Sequence, residues 1–353
     1  MIPKRIPPLL NGFRLLLVAV FVTALNAQSN LQQGGSLLTY TPSQAVSGVI
    51  RIWGHGGRGK DFDGALLKSW EEEFQKYQPN VRFENHLQGN ASAIGGLYTG
   101  AADLALMARE IWPTEVDGFE QVFGHKPASV AIMTGSVDVP NHDFALAIFV
   151  HKDNPLARLT VAQLDSVFGT DHRRGGKNVR TWGELGIGGE WADKPIHPYG
   201  YALRRDFSFF FEQTVMAGSK KWNCDLKEFS DERTAAGTVD AGQRILDKLA
   251  QDRYGIAISS LAYKNPQTKA LLLGKTEGAY YPPSRETVTS HQYPLTRTPF
   301  LYFDRKPGKS LDPKIREFIS YVLSRQGQAR VAEDGLYLPL LPTLAEQARE
   351  ELQ

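Results

Sequence analysis

At 353 residues, with 42% hydrophobic and 22% charged residues, the chain is long enough for two ordinary domains. Its 40 basic and 38 acidic residues leave a formal net charge of +2, which excludes a general attraction to nucleic acid. The single cysteine, Cys224, excludes an intramolecular disulfide and a cysteine metal cluster, and reads as a small buried packing residue. The 8 histidines show no His-x-x-x-His or His-Glu-x-x-His spacing, so no metal site is expected.

Lys4, Arg5 and Arg14 form a basic region beside apolar Leu15 to Leu25, too short a run to span a bilayer as a mature helix. Leu25-Asn26-Ala27 ends in a small residue before Gln28, and residues 1–27 read as a secretory signal; an uncleaved N-terminal anchor is the alternative. Cleavage removes three basic residues and no acidic ones, leaving a formal charge of −1, so any anion site must be local. The protein is expected to be periplasmic or secreted and soluble. Residues 28–47, rich in Gln, Ser, Gly and Thr, read as a flexible lead-in.

Gly48 to Trp53 alternates like a strand. A glycine-rich turn follows, Gly54-His55-Gly56-Gly57-Arg58-Gly59-Lys60-Asp61, and then Phe62, Leu66, Leu67, Trp70, Phe74 and Tyr77 recur at helical spacing until Pro79-Asn80. Such a strand-to-helix turn aims backbone N–H groups outward at the positive end of a helix dipole, which makes an anion site of Gly56 to Gly59. Arg58 and Lys60 add positive charge there. The alternative is that the glycines only make a tight turn. Gly54-x-x-x-x-Gly59-Lys60 also matches seven positions of a nucleotide P-loop, but Asp61 stands where a Ser or Thr should ligate magnesium. Nucleotide hydrolysis is therefore not expected.

Val81 to His86 reads as a second strand, Gln88 to Ser92 as a polar turn, and a second helix is predicted from Ala93. Asp103 to Met107 reads as a buried third strand ending near Arg109. Strands and helices alternating this closely imply a parallel sheet with ligands at the carboxyl ends of its strands. Further on come a buried strand over Phe144 to Val150, a break at Asp153-Asn154-Pro155, and a helix-like Val161 to Phe168. A loop from Gly169 to Arg180, the segment Pro195 to Gly200, the aromatic run Phe207 to Phe211 and a strand at Gly255 to Ser259 complete this part. Trp182, Trp191 and Trp222 read as packing residues. No Gly-x-Ser-x-Gly elbow is present, and Ser259-Ser260 reads as a turn.

Four pieces in order carry a family resemblance: the glycine loop before the first helix, Gly100-Ala101-Ala102-Asp103-Leu104-Ala105 with Arg109 beyond it, Tyr293-Pro294-Leu295-Thr296-Arg297, and Leu323 to Gln328 followed by Asp334 to Leu340. From about Gly48 to Pro342 this order resembles the phosphate-binding proteins that serve bacterial ABC transporters. The resemblance implies an α/β, two-domain type 2 periplasmic-binding-protein fold with a ligand cleft between the domains. Its first domain is expected to be discontinuous, over residues 48–146 and 292–345, and the second to cover 147–291.

The family's second phosphate loop, Gly-Ser-Gly, corresponds here to Gly89-Asn90-Ala91-Ser92, where Asn90 and Ser92 can supply polar groups. After Tyr199-Gly200 the family has an arginine and then Ser-Gly-Thr; this chain has Tyr201 for the arginine, and Arg205, Asp206 and Phe207 for Ser-Gly-Thr. The expected ligand set is Gly56, Gly57, Arg58, Gly59, Asn90, Ser92, Arg109, Tyr201, Arg204 and Arg205, with no catalytic residue, metal or cofactor. Alternatives stand beside several of these: a structural salt bridge for Arg109, ion pairs with Asp206 or Glu212 for Arg204 and Arg205, and a core position for Tyr201. The resemblance implies a monomeric, non-enzymatic binding protein that delivers phosphate or a similar small oxyanion to a membrane ABC permease. The competing readings are a non-transport interaction or sensory protein with a degraded anion site, favoured by the altered Tyr201 to Phe207 loop, and, more remotely, a hydrolase of phosphorylated substrates.

Overall fold

The computed structural model describes residues 35–56, 62–139 and 145–352. The sequence features assigned to a signal segment, and Gly57, Arg58, Gly59, Lys60 and Asp61, lie outside those residues. The chain runs through β1 (Gly48–Gly54), α1 (Phe62–Tyr77), β2 (Val81–His86), α2 (Asn90–Tyr98), β3 (Leu104–Met107), α3 (Pro113–Phe123) and β4 (Ala128–Ala131). It continues with β5 (Leu146–His151), β6 (Arg158–Thr160), α4 (Val161–Phe168), β7 (His197–Tyr201), α5 (Asp206–Thr214), β8 (Lys227–Phe229), β9 (Glu232–Thr234) and β10 (Gly237–Val239). Then come α6 (Ala241–Leu249), β11 (Gly255–Ser260), β12 (Thr268–Ala270), β13 (Leu272–Gly274) and α7 (Arg285–Thr289). Last are β14 (Phe300–Phe303), α8 (Pro313–Val322), α9 (Arg325–Asp334) and α10 (Pro342–Glu350).

Two five-stranded sheets organise the molecule, in the orders β2-β1-β3-β14-β4 and β12-β5-β11-β7-β8. In the first, β1 pairs parallel with β2 and β3, whereas β14 runs antiparallel between β3 and β4. The late strand β14 therefore returns to the sheet that β1 began. The two passages between the sheets run side by side: Ala145 and Thr296 form an isolated antiparallel bridge, and Gly135 N donates to Arg297 O at 3.0 Å.

The apolar spacing of α1 buries Leu66, Leu67, Trp70 and Phe74 on one face of the first sheet, with Ile50, Ile52, Phe318 and Tyr321. Trp70 Nε1 donates to Gly327 O at 2.8 Å, which satisfies the indole and pins α1 to α9. The opposite face carries Ile94, Leu97, Met107 and Phe119. The second sheet is buried through its centre, every residue of β5 and β11 included, with Trp182 and Trp191 packed in its core as their residue type led us to expect.

Four sequence expectations need correction. Ser259 and Ser260, read as a turn, are the buried last residues of β11, opposite Ala147 and Leu146 of β5, because the strand runs on through them. The stretch read as a flexible lead-in is docked through Leu37, Tyr40 and Val46: Tyr40 is 5% exposed, packs among Phe74, Tyr77 and Tyr321, and donates its hydroxyl to Glu317 at 2.7 Å. Its polar composition hid one aromatic anchor. The second helix starts at Asn90 and not at Ala93, because Gly89 takes a φ of 105° and turns directly into it; Asn90 and Ser92 thus sit in the first helical turn. Cys224 is exposed rather than buried, since it lies in the turn before β8 instead of on a core strand.

Candidate functional site

The carboxyl ends of β1, β2 and β3 bring three loops together. His55 N donates to Leu106 O at 2.9 Å and Gly89 N donates to Gly54 O at 2.8 Å, tying the turns after β1 and β2 to each other and to β3. Gly54 has a φ of 148°, and a Cβ there would lie 1.9 Å from Leu106 O, so only glycine allows this approach. Gly56 is buried beside it. Asn90 accepts the Ala108 N–H at 3.0 Å through Oδ1, which holds the start of α2 against the end of β3. The Ser92 hydroxyl is used locally, donating to Gly89 O at 2.8 Å.

Arg109 follows directly and is 2% exposed. Its guanidinium grips Glu115 with two hydrogen bonds of 2.6 and 2.8 Å, donates to Glu110 O at 2.8 Å and lies 4.2 Å above the Trp112 ring. A bidentate carboxylate and an aromatic face suit a planar guanidinium in a dry setting. The remaining edge faces the second sheet, where Arg109 Nε approaches Asp206 Oδ2 at 3.7 Å. Asp206 opens α5, so its carboxylate sits at the positive end of that helix dipole.

Other side chains meet across the same gap. Trp112 and Phe209 are tilted rings with centroids 5.4 Å apart. Arg297, 2% exposed, pairs with Glu110 at 3.1 Å and lies 5.3 Å from the ring centroids of Phe207 and Phe210. Loop residues at the edge of the first sheet thus contact the N-terminal half of α5 through one ion pair, one aromatic pair and two cation–π contacts.

The remaining predicted residues lie elsewhere. Tyr201 is 2% exposed, packs on Phe207 with centroids 4.8 Å apart and belongs to the core of the second sheet. Arg205 donates to Asp231 at 2.8 Å. Burial opposes its charge, yet the Asp231 carboxylate outweighs that and raises its pKa. Arg204 is exposed and donates to Ser230 at 3.4 Å. Neither arginine pairs with Asp206 or Glu212; Glu212 instead accepts from Trp222 Nε1 at 2.8 Å. Gly56, Asn90, Ser92 and Arg109 therefore share one edge, while Tyr201, Arg204 and Arg205 are engaged within the second lobe. Sequence reasoning missed Trp112, Asp206 and Arg297 as contact residues. Arg297 closes the Tyr293 to Arg297 motif and Asp206 stands at the altered helix start, so both positions carried a signal.

Among the described residues no group of three or more His, Cys, Asp or Glu is placed to hold a metal ion, and no helix is long and apolar enough to cross a membrane.

Comparison with known proteins agrees with the motif order. A family model described as a PBP superfamily domain matches residues 59–326. The chain is 33% identical over 341 residues to the phosphate-binding protein PstS of Pseudomonas aeruginosa, covering 96% of this chain and 97% of that protein. It is 23% identical over 273 residues to the protein SphX of Synechococcus elongatus, covering 76% and 72% of the two chains. Two solved structures share the fold: PstS from Borrelia burgdorferi, at a TM-score of 0.54, 15% identity and 83% and 98% coverage, and an ABC-type phosphate transport receptor from Vibrio cholerae, at 0.52, 17% identity and 82% and 99% coverage. The chain belongs to the PBP superfamily, among its PstS-like phosphate-binding proteins.

Proposed function

We propose that the protein is an exported solute-binding protein for phosphate or a similar small oxyanion, which it delivers to a membrane ABC permease without chemical turnover. The observation that carries this reading is that the ends of β1 and β2 are tied to the end of β3, which leads into Arg109, opposite the N-terminus of α5. Backbone N–H groups at helix starts, together with a guanidinium, are the groups that receive an oxyanion. The relatives named as phosphate-binding proteins support it. The first domain would comprise residues 48–146 and 292–345 and the second 147–291, with ligand drawing the two together about the paired passages. The apolar run after Arg14 and its basic neighbours support export to the periplasm.

A second reading, a sensory or interaction protein with a degraded anion site, is favoured by one observation. At the start of α5 the carboxylate of Asp206 already faces Arg109, and Phe207 covers Arg297. Thermal-shift measurements with phosphate, sulfate, arsenate and molybdate separate the two. Ligand at 100 times its dissociation constant stabilises by about 2.7 kcal/mol, and no shift with any of the four would discard the transport reading.

A further inference from the structure

A cavity of about 260 Å³ opens between α8 and α10, away from the ends of β1, β2 and β3. Its walls are Ser310, Leu311, Arg316, Ser320, Arg349 and Leu352. Arg316, Ser320 and Arg349 are half-buried. Neither guanidinium forms an ion pair with a carboxylate among the described residues, although this protein pairs most of its other half-buried arginines. Arg349 spends one Nη2 hydrogen bond on Leu323 O at the end of α8, which fixes the guanidinium beside the cavity. Burial lowers its pKa, and the exposed Glu346 one turn back only partly offsets this. Both guanidiniums are partly in water, and an anion in the recess would add charge-assisted hydrogen bonds to two groups that no carboxylate pairs among the described residues.

We propose that this cavity is a second anion site, which takes the tetrahedral head of a phosphate or a small phosphomonoester between Arg316 and Arg349. Two planar guanidinium forks and two hydroxyls supply donors in several planes, more than the two oxygens of a carboxylate use. Leu311 and Leu352 give the recess apolar walls on which the carbon chain of an ester can rest. The site stands apart from the interdomain reading, because it shares no residue with it.

The test titrates the full-length mature protein with inorganic phosphate, with glycerol 3-phosphate and with acetate, following the arginine Nε–Hε resonances by NMR. The Arg316 and Arg349 signals are expected to shift saturably with the two phosphates and not with acetate. Tighter binding of inorganic phosphate identifies the free ion as the natural ligand, and tighter binding of glycerol 3-phosphate identifies the ester. Arg316→Gln should weaken the affinity read at Arg349 about tenfold, the scale of one lost charge-assisted hydrogen bond. The Arg109 signal and the unfolding midpoint without anion should not change in that variant. The proposal is overturned if both resonances drift linearly like that of the exposed Arg325, if acetate binds as well as phosphate, or if Arg316→Gln leaves the affinity at Arg349 intact.

Discussion

Replacing Asp206 with Asn removes one negative charge from the mouth of the cleft while keeping the size of the side chain and its place at the start of α5. Asp206 Oδ2 lies 3.7 Å from Arg109 Nε, and its side chain is 38% exposed. At that separation one unit pair is worth about 1 kcal/mol in an aqueous dielectric and about 4 kcal/mol at an effective dielectric near 20. The lower figure applies here, because the carboxylate is partly in water and Glu115 already neutralises Arg109. An oxyanion that reached Arg109 would meet Asp206 at a similar distance, with a repulsion of about 1 kcal/mol for each of its own charges. Asp206→Asn should therefore strengthen binding of a dianion by about 1–2 kcal/mol, on the order of tenfold in affinity.

Isothermal titration of wild type and Asp206→Asn with phosphate measures this directly. The gain should shrink as ionic strength rises from about 0.01 to 0.15 M, because the Debye length falls from about 30 to 8 Å. It should also shrink below the second pKa of phosphate, where the ligand carries one charge instead of two. Equal affinity in the two proteins would place the anion away from Arg109. Weaker binding by the variant would mean that the carboxylate helps the ligand, and the electrostatic reasoning would fail.

Arg109→Ala breaks a pair whose side chains are 3% and 17% exposed, and should cost about 3 kcal/mol, read as a lower urea midpoint; in a double-mutant cycle Glu115→Gln should recover part of that loss. Tyr40→Phe leaves buried Glu317 short of one donor, though Ser43 N still reaches it at 3.2 Å, so a cost of about 1–2 kcal/mol in urea unfolding is expected, and no change would mean that residues 35–47 are not anchored there. His291 bonds Thr134 through Nε2 at 2.6 Å beside the passages between the sheets, and burial, with Lys275 nearby, lowers its pKa below 6.5. A folded-state value below the unfolded one means the unfolded chain binds the proton more readily, so stability is full above about pH 6.5 and is lost as pH falls from there toward the folded value. The thermal midpoint should drop as pH falls below about 6.5 in wild type and drop less in His291→Asn, which still suits the φ of 55° at this position; parallel curves would remove His291 as the cause.

The sequence disclosed the scaffold well because periodic burial writes a repeating signal. Leu66, Trp70 and Phe74 face the first sheet as their spacing required, and the run Leu146 to Val150 became a fully buried strand. The placement of β14 in the first sheet, by contrast, is a long-range pairing, foreshadowed only by the Tyr293 to Arg297 motif. Side-chain pairing was less legible. Arg205 stands next to Asp206 in the chain but pairs with Asp231, because the backbone leads its side chain toward β9 while Asp206 turns into the cleft. Tyr40 escaped notice because one aromatic in a polar stretch has no period to display.

These two kinds of legibility bear on function. The turns after β1, β2 and β3 must be shaped as they are for the sheet to close: Gly54 admits no Cβ against Leu106, and the Asn90 side chain joins α2 to β3. The shape of this edge is thus partly a by-product of how the fold is built, and its presence alone does not identify a ligand. Discrimination must come from what faces that edge. Here the opposing helix start offers a carboxylate and an aromatic ring, Asp206 and Phe207, where the phosphate-binding proteins it resembles offer Ser-Gly-Thr. A helix N-terminus that carries its own carboxylate has part of its dipole answered before any ligand arrives. An oxyanion can be held at this edge only if its interactions with the backbone N–H groups and Arg109 exceed those that Asp206 already makes. The competition between Asp206 and the ligand for Arg109 is therefore the quantity on which the transport and the sensory readings divide.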